Sequence, residues 1–192
     1  GPSADANVPH PIEWEQINTH EKWFLHTDDT PGNPGSGTQR IPYKGGDYYL
    51  MNIAPGSGWI NAYQQILQWT TEPEQGSADG WHFDECKTKD QLIEYAPTIT
   101  KEIYNNWEYW VVNLMNEFRV AFPEKWVGPN CVPYAPYFDG INDIPGFTDV
   151  ETEIFIHPTW RPFDENHPGY TEETCLEHMR FYQYYMDRGV RV

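Results

Sequence analysis

The chain reads as α+β. It is expected to form a single compact domain in which two or three main helices pack on a small, mainly antiparallel sheet, with long Pro- and Gly-rich loops between them. Three observations predict this. From Thr98 to Val120, apolar residues fall at Ile99, Ile103, Trp107, Trp110, Val111, Leu114, Met115 and Phe118, a stripe with the 3.6-residue period of an amphipathic helix. Residues 172–188 repeat that logic between a capping Thr171 and a stopping Gly189. "VETEIFIH" (150–157) instead alternates apolar and polar residues as a half-buried strand does.

The other elements follow in order. Residues 1–7 are read as a processed or expression-derived tail, so the domain is expected over 8–192. "PIEWEQINTHEKWFLH" opens with Pro11 at a first helical position and predicts a short helix running into a strand. Residues 28–46 are dense in Gly and Pro and predict a loop. "DYYLMNIA" (47–54) predicts a strand, and "WINAYQQILQW" (59–69) a helix with Trp59, Tyr63, Ile66 and Leu67 on one side. A polar loop over 70–86 precedes the 98–120 helix, with Thr98 as N-cap and Glu102 in the first turn, where the helix dipole favours a carboxylate. Residues 122–147 carry five Pro and three Gly and predict a long irregular connection of the kind that serves binding.

Composition narrows the function. Aromatics make up 16% of the residues, including nine Trp and thirteen Tyr, which separates this chain from disordered ones. The formal charge is −17 with only twelve Lys plus Arg, so no basic surface exists to neutralise a row of phosphates or an anionic membrane. A cation, a neutral sugar or a basic protein suits this field better. No apolar stretch is long enough to span a membrane. Cys86, Cys131 and Cys175 form an odd, widely spaced set that argues against a disulfide scaffold, and the acidic, Trp-rich, Lys-poor composition leans toward an extracytosolic setting.

Four constellations could carry chemistry. Residues 153–178 hold three histidines, a cysteine and six carboxylates. Cys175 and His178 are three apart on a predicted helix and share a face, and His157 and His167 could fold back toward it as zinc ligands. A polar loop leading into an amphipathic helix accounts for the same residues. "HTDD" (26–29) gathers carboxylates that could hold calcium, without the register of a calcium loop. His82 and Asp84 form an H-x-D pair, two of the three ligands of a non-haem iron site, but the eight-stranded barrel that carries such sites is not predicted. Finally, Trp107, Trp110, Trp126, Tyr134, Tyr137 and Asp139 form a predicted aromatic and acidic surface on the 98–120 helix and the loop after it, suited to stacking on sugar rings. Glu108 and Glu117 on the same helix raise a carboxylate-based glycan hydrolase as an alternative.

The segment "GSGWINAYQQILQWTTEP" (56–73) resembles the stretch around the nucleophile of the papain-like leader proteases of aphthoviruses. Trp59, Asn61, Ala62, Gln65, Glu72 and Pro73 stand at matching places. Gly58 occupies the place of the nucleophilic cysteine, so the resemblance implies a chain without thiolate chemistry there. Serine-hydrolase, phosphate-loop and H-E-x-x-H signatures are absent. The expected function is therefore a non-catalytic binding or accessory protein that presents an acidic, aromatic surface to a glycan or protein partner. A metal-dependent enzyme built on the C-terminal cluster is the alternative.

Overall fold

The structure, a computed structural model, describes residues 12–46, 48–75, 77–83 and 87–129, together with 176, 179, 180, 183, 186 and 187. The architecture is mixed α+β. The chain divides into two units, Gly1–Asp79 with Tyr95–Thr100 and Gly80–Glu94 with Lys101–Val192.

In the first unit, α1 spans Trp14–Thr19. It starts three residues after Pro11, where the Glu13 backbone N–H donates to the Gln16 side-chain carbonyl (2.9 Å). A 3-10 turn over Glu21–Trp23 leads into Phe24 and Leu25, which are almost wholly buried. Here three passes of chain interlock. Leu25 N–H donates to Leu50 O (2.9 Å), Ile41 N–H to Leu25 O (2.9 Å) and Leu50 N–H to Ile41 O (3.1 Å). β1 (Pro42–Tyr43) pairs antiparallel with β2 (Tyr48–Tyr49) on the same ladder. Formal strand is thus shorter than the expected 47–54, because Asn52 turns its side chain inward and Ala54 begins a turn. α2 follows over Gly58–Thr70, within a residue of the expected bounds, and buries Trp59, Ile60, Ala62 and Leu67. That apolar stripe is what makes the segment a helix here, since an isolated helix of this length is marginal in water.

In the second unit, β3 (Gly80–Phe83) pairs in parallel with β4 (Trp126–Pro129). Parallel neighbours require a crossover, supplied here by α3 (Lys89–Tyr95) and α4 (Lys101–Ala121). Gly80 is obligatory at its place, because a Cβ there would fall 2.2 Å from Cγ of the Trp126 ring. α4 begins three residues after Thr98 and buries Ile103, Trp107, Trp110, Val111, Leu114, Met115 and Phe118, the stripe seen in the sequence. Phe83 stacks on Phe118 with ring centroids 5.2 Å apart. Thr88 and Gln91 exchange side-chain and backbone hydrogen bonds at the start of α3, and Glu108 accepts the Lys89 N–H (3.1 Å). β1, β3, α3 and β4 are all additions to what the sequence predicts, β1 and β3 lying in the stretches 28–46 and 70–86 expected to be loops. β4 lies in the stretch expected to be irregular.

Leu176, Met179, Arg180, Gln183 and Met186 are helical, within the predicted C-terminal helix. The predicted strand 150–157 and most of the loop 122–147 lie outside the described residues. Among the described residues no helix is long and apolar enough to cross a membrane.

Candidate functional site

A cleft of about 300 Å³ opens in the first unit between α1, the Glu21–Trp23 turn and α2. α2 contributes Gly58, Asn61, Ala62 and Gln65. Their i, i+3, i+4, i+7 spacing puts four small or uncharged polar residues on one helical face. From the other side come Ile12, Gln16 and His20, the last two a helical turn apart, and Trp23.

Two stacked rings, His20 and Trp23, form one wall, and Trp59 and Tyr63 continue the ring contacts outside the lining. His20 stacks on Trp23 with centroids 4.0 Å apart and planes 15° from parallel. Trp23 meets Trp59 at 5.7 Å, and Trp59 stacks on Tyr63 at 5.5 Å. His20 Nδ1 lies 2.6 Å from the Gln16 carbonyl oxygen. A carbonyl only accepts, so Nδ1 carries the hydrogen and, in the neutral ring, Nε2 is left as an acceptor. The carboxamides of Gln16, Asn61 and Gln65 each offer both donors and an acceptor. Among the described residues, no carboxylate, lysine or arginine lines the cleft.

Gly58 starts α2, and a Cβ there would meet the Trp23 indole nitrogen at 2.9 Å. The indole edge thus fills the space that a side chain at this position would need. Ser57 does not cap the helix through its side chain; its hydroxyl donates to Asn52 O at 2.5 Å.

Beside the cleft wall lies an ionic knot. Arg40 grips Glu21 with two parallel hydrogen bonds, Nε to Oε1 (2.8 Å) and Nη2 to Oε2 (2.6 Å). Its guanidinium also sits 3.8 Å from the Phe24 ring centroid. His26 is fully buried and approaches both Glu21 and Asp29. The Arg40 hydrogen bonds first, then those of His26, hold the Glu21 carboxyl at about 2, well below its usual 4.5. Glu21 raises Arg40 in return. Asp28 is also lowered, chiefly by the backbone N–H groups of Gln39 and Thr38.

A carboxyl whose pKa falls on folding stabilises the native state above its unfolded value, and that contribution is lost as pH falls through the folded value. The melting temperature should therefore drop between pH 4.5 and about 2, and Glu21→Gln should flatten part of that drop in acid-series calorimetry. Glu21 is 43% exposed, so water screens the pair and the effect is modest.

The residues singled out in the sequence fall into three groups. Trp107 and Trp110 are 6% and 5% exposed and belong to the core of the second unit, with the Trp107 indole N–H donating to Lys87 O (2.8 Å). Trp126 is half-buried on β4 against Gly80, and Glu108 is buried where it caps α3. Tyr134, Tyr137, Asp139, His157, His167, Cys175 and His178 lie outside the described residues, as does Asp84 of the H-x-D pair. "HTDD" is a structural knot. Asp28 accepts from Thr38 and Gln39 N–H, and Asp29 from His26 and Gly37 N–H. Among the described residues no group of three or more His, Cys, Asp or Glu is placed to hold a metal.

No protein-family model, curated protein or solved structure matches the chain. The likeness of residues 56–73 to leader proteases therefore stands on that segment alone. Four of the lining residues, Gly58, Asn61, Ala62 and Gln65, stand in the segment that resembles the leader proteases, where their i, i+3, i+4, i+7 spacing is legible. Ile12, Gln16 and Trp23 carry no charged or metal-ligating pattern that would mark them as a site in the sequence.

Proposed function

We propose that the chain is a non-catalytic binding or accessory protein, and that the cleft between α1 and α2 takes a neutral ligand rich in hydroxyl or amide groups, a glycan above all. One observation carries the reading. Three carboxamides surround a stacked His20–Trp23 wall in a cleft that, among the described residues, is lined by no carboxylate, lysine or arginine. Carboxamides donate and accept at once, as sugar hydroxyls do, and aromatic faces suit the apolar face of a sugar ring. The volume matches the lower end of small-ligand sites. A net charge of −17 repels anions and nucleic acid and is indifferent to neutral sugars. Among the described lining residues His20 alone carries an acid–base side chain, where acid–base hydrolysis uses a pair.

The test is a titration of the full chain with neutral oligosaccharides and their uronic-acid counterparts, followed by NMR. Saturable shifts of the Trp23 indole and of the Gln16, Asn61 and Gln65 side-chain amides are expected with the neutral series. Asn61→Ala combined with Gln65→Ala should weaken binding about tenfold or more, as the loss of two hydrogen bonds implies, while the melting temperature holds. Saccharide-induced shifts confined to other residues, or none at millimolar ligand, would refute the assignment.

A further inference from the structure

The knot beside the cleft has an unusual proton requirement. His26 Nε2 lies 2.9 Å from Glu21 Oε1, and Nδ1 lies 3.2 Å from Asp29 Oδ1. The ring is fully enclosed, so no water stands in for either partner. An ionised carboxylate has no hydrogen to donate. Both contacts are therefore hydrogen bonds only when both ring nitrogens carry hydrogen. A neutral imidazole holds one, and its other nitrogen then sets a lone pair against a carboxylate.

The surrounding charges fit the doubly protonated ring. Glu21 and Asp29 face it directly, Arg40 grips the far side of Glu21, and Asp28 is engaged by the loop backbone. With His26 as imidazolium, the four groups Glu21, Asp29, Arg40 and His26 are electrically balanced. Asp29 is additionally fixed by the N–H groups of His26 (3.0 Å) and Gly37 (2.8 Å), and Gly37 packs so closely that a Cβ would lie 2.6 Å from that of His26. Asp29 has little freedom to swing away.

We propose that His26 is a protonation latch: as imidazolium it ties the Glu21–Trp23 turn to the loop 28–40, and loss of one proton releases one of the two carboxylates and loosens the cleft wall that carries His20 and Trp23. The turn is the mobile partner, because Asp29 keeps its backbone donors whichever way the ring titrates. The latch holds as pH falls and opens as pH rises through the titration of the ring. It does not depend on what the cleft binds.

The experiment is a pH series on the full chain, from about pH 5 to about pH 9, the range in which histidines titrate. Long-range proton–nitrogen correlation reports both ring nitrogens of His26, while hydrogen exchange follows the Phe24 amide and chemical shift the Trp23 indole. At the acid end both His26 nitrogens should carry protons. As the ring loses one, the Trp23 indole should shift and protection of the Phe24 amide, which closes the turn on Glu21 O, should fall about tenfold, the loss of one charge-assisted hydrogen bond, with one shared midpoint. His20 also faces Trp23, so the series is repeated on His20→Gln, where the shared midpoint should persist. In Asp29→Asn it should vanish. A His26 ring with one hydrogen throughout, or Trp23 and Phe24 signals that ignore its titration, would overturn the latch. The wild-type and His20→Gln series decide the matter even if Asp29→Asn does not fold.

Discussion

Trp107→Ala is expected to destabilise the second unit by about 3–5 kcal/mol, the range for removing a large buried ring. Two effects combine. The indole is 6% exposed on the apolar stripe of α4, so its removal leaves a cavity. Its N–H donates to Lys87 O (2.8 Å) just ahead of α3, and truncation strands that carbonyl. Glu108, the next residue, holds the first N–H of α3 at 3.1 Å, so loosening α4 here also loosens the cap of its neighbour. Trp107→Phe separates the two effects, keeping most of the ring and losing only the hydrogen bond. Its loss should be about 1–3 kcal/mol. Urea unfolding followed by circular dichroism measures both. A Trp107→Ala protein of normal stability but impaired ligand binding would return this ring to a binding role.

The second large effect is expected at Asn52. Its side chain is 3% exposed and makes three bonds: Nδ2 donates to Lys22 O (3.1 Å) and Pro34 O (3.0 Å), and Oδ1 accepts from Ala54 N–H (3.2 Å). One carboxamide thus joins the end of the cleft turn, the Gly-rich loop and the start of the segment leading to α2. Asn52→Ala leaves two carbonyls and an N–H short of partners and should lower stability by about 2–4 kcal/mol, read as a fall in melting temperature by calorimetry. The packing allows no compensating shift. Gly35, at φ +84°, already sits so close that a Cβ would approach Lys22 O to 2.5 Å. If Asn52→Ala melted like the wild type, the three-way joint would not be what holds this loop.

Much of the helical content was legible because helices announce themselves locally. The 3.6-residue period located α2 and α4, with bounds that moved by one residue at each end of α2 and by three and one residues at the ends of α4. The same stripe already placed Trp107 and Trp110 among Ile103, Val111 and Leu114. Reading those rings as a presented surface weighed their chemistry above their position. The pairing of β3 with β4 was not legible, because a parallel ladder joins residues distant in sequence and Trp126–Pro129 sits in a Pro-rich stretch that reads as loop. "HTDD" showed its charge but not its partners: Glu21 and Arg40 reach it through the fold, and the backbone donors of residues 37–39 leave no pattern in side-chain identity. The cleft was half legible. Its stripe of uncharged residues is local, but the ring that faces it comes from another element.

The crossover between β3 and β4 also sets an order of events. Gly80 cannot find Trp126 until all of α3 and α4 has been made and folded back, so the ladder closes after its helices rather than guiding them. On the ribosome, Trp81 and Phe83, both buried in the finished unit, wait without their partner strand while the next two helices emerge. The most demanding interval in the life of this chain is therefore its synthesis between residues 83 and 129, when two large rings have been made and neither the Phe118 and Phe122 rings they pack against nor the strand that pairs beside them is complete.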